Sequence, residues 1–151
     1  MTMPDMPDTP LNNGRTPPPQ ALTMMLCDSV WRDPSTGKTF IQGGFTALTA
    51  PEFPCVLSRF SAYVALTRIS STVPINLRLV LLSEDGSDPR DVSSAQANVD
   101  SRDPLAVAEG EFLFQDVVFE RPGEYRLVLE CDGETLLERR LVAVPSDGHR
   151  P

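Results

Sequence analysis

Ser35-Thr36-Gly37-Lys38-Thr39 has the lysine and hydroxyls that end a phosphate-binding loop. That loop also needs a glycine five positions before Gly37 and a helix after the lysine. Position 32 is Arg, and a strand pattern follows Lys38, so the segment reads as a hairpin turn. Glu84, Asp85, Asp88 and Asp91 crowd one stretch, and calcium takes about six to eight oxygens from such groups. Their spacing is not that of an EF-hand, Arg90 sits among them, and Asp85-Gly86 is ordinary turn chemistry. They read as an acidic solvated turn. His149 is the only histidine, and a frayed chain end cannot fix it as the base of a nucleophile. Cys27, Cys55 and Cys131 contain no C-x-x-C pair to start a zinc site. The 21 carboxylates leave two-carboxylate glycoside chemistry open without indicating a pair. Trp31 follows an apolar strand and precedes a turn. It reads as partly buried at a rim, with a partner contact as the other reading. No catalytic, cofactor-binding or metal-binding residue is assigned, and no cofactor is implied.

The elements that would position such groups are strands. Leu22, Met24 and Leu26 alternate with Ala21, Thr23 and Met25, which is strand periodicity; Val30 and Trp31 extend the pattern. Asp33 to Gly37 is dense in turn formers. Thr39 to Leu48 forms a second strand, with a bulge or sharp bend at Gly43-Gly44. Arg59 to Ile69 carries Phe60, Ala62, Val64 and Leu66 on one face, and Ile75, Leu77, Leu79 and Leu81 mark the next strand. Asp91 to Val99 is small and polar, as suits an edge. Glu111 to Phe119 follows, and its parity shift after Phe114 indicates a bulge. Pro122-Gly123 leads into a last hairpin, Glu124 to Val144. The expectation is an all-β fold: an antiparallel β-sandwich of about eight strands, immunoglobulin-like or similar.

That hairpin has two possible registers. A two-residue Asp132-Gly133 turn sets Leu127 against Glu138 and Arg126 against Arg139. A three-residue loop, Cys131-Asp132-Gly133, sets Leu127 against Leu137, Glu124 against Arg140 and Arg126 against Glu138. Opposite charges across a ladder contribute about 0.2–1 kcal/mol per pair, so the longer loop is the expected one. Glu124, Arg126, Glu138 and Arg140 then form a solvated ladder rather than an acid–base set.

The chain of 151 residues suits one domain. Residues 1–19 are polar and hold six of the 15 prolines, the composition of a flexible or disordered tail. The sandwich is expected over 20–145, and 146–151 form a short polar end. The net charge of −8 and scattered basic residues disfavour nucleic acid and anionic membranes. No apolar run approaches the roughly 20 residues of a membrane span. The first 20 residues do not read as a secretory signal. With an odd number of cysteines, this places the expected compartment in the cytoplasm, with reduced thiols.

Several motifs together resemble a family of small uncharacterised bacterial β-sandwich proteins: Leu26-Cys27-Asp28, Thr36-Gly37-Lys38, Gly43-Gly44-Phe45, Pro51-Glu52-Phe53-Pro54, Pro122-Gly123-Glu124-Tyr125 and Asp132-Gly133. The resemblance covers about residues 20–144 and implies the fold without adding site residues. The expected function is a non-enzymatic binding or assembly module with a protein partner. The alternatives are a carboxylate-based hydrolase acting on a glycan and a calcium-dependent binding domain.

Overall fold

A computed structural model describes residues 18–82 and 89–146. The expected tail up to residue 17, Glu84, Asp85 and Asp88 of the acidic turn, and His149 lie outside the described residues.

Ten strands are formed: β1 (Gln20–Cys27), β2 (Ser29–Arg32), β3 (Thr39–Gln42), β4 (Ala47–Ala50), β5 (Cys55–Thr67), β6 (Val73–Leu81), β7 (Arg90–Val99), β8 (Ala108–Phe119), β9 (Gly123–Cys131) and β10 (Glu134–Pro145). The expected eight become ten because Asp28 ends β1 before β2, and the Gly43-Gly44 bend divides β3 from β4. Gly43 has φ +70°, and a Cβ there would lie 2.2 Å from Asp28 Oδ2. Only glycine fits that bend.

One sheet runs β1-β5-β8, a second runs β4-β10-β9-β6-β7, and β2-β3 is a separate hairpin. β7 lies at the edge of the second sheet, as its small polar residues predict. Pairing is antiparallel except at β4, which lies parallel to β10, a departure from the all-antiparallel expectation. The chain leaves the first sheet at Phe45, whose N–H donates to the Leu26 carbonyl (3.0 Å). It joins the second at Thr46, whose carbonyl accepts from Val142 N–H (3.4 Å).

The inner faces form one continuous core. Phe60 stacks on Phe114 (centroids 4.9 Å apart) and meets Phe45 edge-on. Phe119 meets Tyr125 edge-on at 5.0 Å. The Tyr125 hydroxyl donates to the Arg121 carbonyl (2.7 Å), so the largest buried polar side chain keeps a partner. This is the tyrosine corner of many sandwiches. The parity shift after Phe114 is real. Asp116 takes φ +51°, and the β5–β8 ladder skips it and Ser58 opposite while keeping register on either side. Inward positions therefore change from Phe112 and Phe114 to Val117 and Phe119.

The last hairpin corrects the expected register. Cys131 pairs with Glu134 around a two-residue turn, with positive φ at both Asp132 (+53°) and Gly133 (+81°). Asp-Gly is suited to that turn because both central residues must take φ > 0. A bulge between Thr135 and Leu137 then advances β10 by one residue. Leu137 pairs with Leu129, Arg139 with Leu127 and Leu141 with Tyr125. Glu138 and Arg140, which a straight two-residue hairpin would set against Leu127 and Tyr125, are thus displaced; exposed Arg139 stands opposite Leu127, and buried Leu141 meets buried Tyr125. The solvated ladder does form: Arg126 bonds Glu124 along β9 (3.1 Å) and Glu138 on a cross-strand diagonal (3.2 Å), and Arg140 lies 3.7 Å from Glu124 on the other diagonal. Space around Gly133 is open, so Gly133→Ala acts through backbone strain alone. It is expected to cost about 1–2 kcal/mol, read as a lower urea midpoint at unchanged m. An unchanged midpoint would refute the left-handed turn.

Candidate functional site

Sequence alternation in the β2-β3 hairpin places Arg32 and Thr39 on one face and Trp31 and Phe40 on the other. The turn between the strands is closed by Gly37 N–H to Asp33 O (2.8 Å) and Asp33 N–H to Lys38 O (2.9 Å). The Asp33 carboxylate accepts from Ser35 N–H and from the Ser35 and Thr36 hydroxyls. These bonds hold its pKa below the usual carboxylate range. The Ser-Thr-Gly-Lys-Thr stretch is therefore a hairpin turn, as expected, with no helix behind it.

The hairpin is clasped to the first sheet at Glu109. Its carboxylate accepts from Thr39 Oγ1 (2.9 Å), from the Tyr63 hydroxyl and from the Arg32 guanidinium. Four strands thus converge on one side chain. Burial alone would raise this carboxyl, but the bonds from Tyr63 and Thr39 and the Arg32 charge outweigh it and hold it low. Burial and the bond to Glu109 push Tyr63 the other way, up to about 12. At neutral pH, Glu109 is ionised and Tyr63 is protonated.

A pocket of about 260 Å³ opens beside this clasp, lined by Val30, Trp31, Arg32, Tyr63, Glu109 and Glu111, among others. Glu111 is exposed and accepts from the Ser61 hydroxyl (2.7 Å). Among the described residues no Lys or Arg forms an ion pair with it. Trp31 and Phe40 are a direct cross-strand pair, stacked at 4.5 Å and 9°, and they are 47% and 41% exposed. Trp31 is therefore partly buried, as expected, and it carries Phe40 with it.

A family match runs over residues 22–144. The chain belongs to DUF6941, a family of unknown function. No curated protein matches the chain. Among solved structures, this DUF6941 chain is similar to the alkylpurine DNA glycosylase AlkC of Pseudomonas fluorescens bound to DNA, at 10% identity and TM-score 0.48. The match covers 83% of this chain but only 30% of AlkC. An immunoglobulin-like protein from Pseudomonas aeruginosa is similar at 17% identity and TM-score 0.39, over 86% of this chain and 99% of that one. A β-glucosidase from Listeria innocua is similar at 12% identity and TM-score 0.43, over 81% of this chain and 16% of the enzyme.

The other residues weighed for chemistry are dispersed in this DUF6941 fold. Asp91, the part of the acidic turn that is described, pairs with Arg78 (2.7 Å). Cys27 and Cys131 are buried as expected and Cys55 is half-buried; all three are free, and burial raises each thiol pKa. The described residues contain no helix long and apolar enough to cross a membrane. Sequence reasoning missed Glu109 and Tyr63 as site residues. Tyr63 alternates outward among the apolar residues of β5, and that polar-tipped aromatic on the solvent face was the available signal.

Proposed function

We propose that the chain is a non-enzymatic binding module that docks a protein partner at the β2-β3 hairpin and the pocket beside it. The observation that carries the reading is the solvent-facing Trp31–Phe40 stack on a hairpin fastened through Glu109. Tryptophan and arginine dominate interface energetics because they offer large, semi-rigid contact area. Holding the hairpin down in advance spares the ordering cost of binding. The glycan hydrolase reading is less favoured, since it asks for a carboxyl kept protonated at neutral pH, whereas Glu109 is held ionised. Three free thiols fit a reducing compartment such as the cytoplasm.

The test is affinity capture from native lysate with the wild-type chain and Trp31→Ala as parallel baits. At least one protein is expected on the wild-type bait and not on the variant, with both baits melting at similar temperatures. Equal recovery on both, or sugar release from glycans by the wild type, would overturn the reading.

A further inference from the structure

We infer that the pocket beside the hairpin receives the guanidinium group of an arginine side chain presented by the partner. The inference deepens the binding-module reading and rests on it. At about 260 Å³, the pocket falls below the roughly 300–1,000 Å³ of drug-sized sites and suits one inserted side chain. Its two carboxylates differ. Glu109 is neutralised by Arg32 and also accepts from two hydroxyls. Glu111 accepts only the uncharged Ser61 hydroxyl among the described residues, so its charge and most of its acceptor sites are uncommitted.

Trp31 lines the same pocket. Phe40 covers one face of the indole and leaves the rest of the ring for a ligand. An exposed aromatic side chain and an unpaired carboxylate lining one pocket favour a cation. A planar guanidinium can stack on the ring and engage the carboxylate with two parallel bonds, which an ammonium cannot match. An anionic group would meet Glu111, and the one cation among the residues lining the pocket, Arg32, is already bound to Glu109. The chain's net charge of −8 steers basic surfaces toward it.

Trp31 is the only tryptophan, so its emission reports the pocket directly. The full chain is titrated with N-acetyl-arginine amide and with the citrulline counterpart, which has the same shape but no charge. The titration is repeated on Glu111→Gln, whose side-chain carbonyl still accepts from Ser61. A saturating emission change with the arginine probe is expected, about tenfold weaker with citrulline and in the variant. No change, equal curves for the two probes, an unaffected variant, or a response to neutral sugars alone would overturn the inference. The two experiments fail separately. A partner lost on Trp31→Ala without an arginine response removes only the arginine assignment. Equal capture by both baits removes the binding reading itself.

Discussion

Phe60→Ala is expected to lower the unfolding free energy by about 3–5 kcal/mol, the range for truncating a buried aromatic. Phe60 is fully buried on β5 and contacts two rings at once, Phe114 face-on and Phe45 edge-on. Emptying its place removes both pairings and leaves a void between strands whose backbones are fixed by ladder bonds on either side. Such a site collapses poorly, which puts the cost at the upper end. A domain of this size has about 5–15 kcal/mol to lose, so the loss is a large fraction of the total stability. Val56→Ala is the control: Val56 lies on the same strand, is 58% exposed, and should stay within about 0.5 kcal/mol of wild type. Urea unfolding at constant m measures both. A loss below about 1 kcal/mol for Phe60→Ala would contradict the packing described.

Glu109→Ala is expected to cost about 1–3 kcal/mol, the penalty for leaving partly buried donors without an acceptor. It also frees the hairpin, so Trp31 emission should shift to the red and become easier to quench. Glu109→Gln isolates the charge and fixes the sign of the pH dependence. The folded carboxyl titrates below its unfolded value, near 4.3, so the folded state binds fewer protons. The stabilisation is therefore complete above about pH 5 and is lost as the pH falls through the depressed folded value. The difference in melting temperature between wild type and Glu109→Gln should be constant from pH 7 to about pH 5 and close at lower pH. A difference that widens in acid would mean that Glu109 is protonated in the folded protein.

The strands legible in the sequence are those whose two faces differ most. β5, β6 and β9 each carry an apolar residue at every second position, Phe60 to Leu66, Ile75 to Leu81 and Tyr125 to Leu129, and the edge position of β7 follows from its alanines and serines. The β10 register was not legible, because one bulged residue after Thr135 reverses every later side chain. The sequence offers only the Leu136-Leu137 doublet as a sign of it. Trp31 and the hairpin turn stand out along the chain. Glu109 does not, because its three donors lie 46 to 77 positions away in sequence and meet it only when the hairpin folds over β8. A carboxylate whose role is to be surrounded by distant donors has no local pattern.

The parallel pairing of β4 with β10 also governs how the protein is made. Val142 meets Ala47 across a separation on the order of a hundred residues, one of the slow contacts that sequence-distant pairing imposes. β10 lies between β4 and β9, so until it is synthesised β4 has no neighbour and β9 presents an open, apolar ladder. The earlier strands already carry all of the buried core cluster except Leu141 and Ala143, so what waits for β10 is the bridge between β4 and β9. Closure of the second sheet therefore waits for its last strand in sequence order. In this interval the growing chain is most open to chaperones and to other growing chains of its own kind.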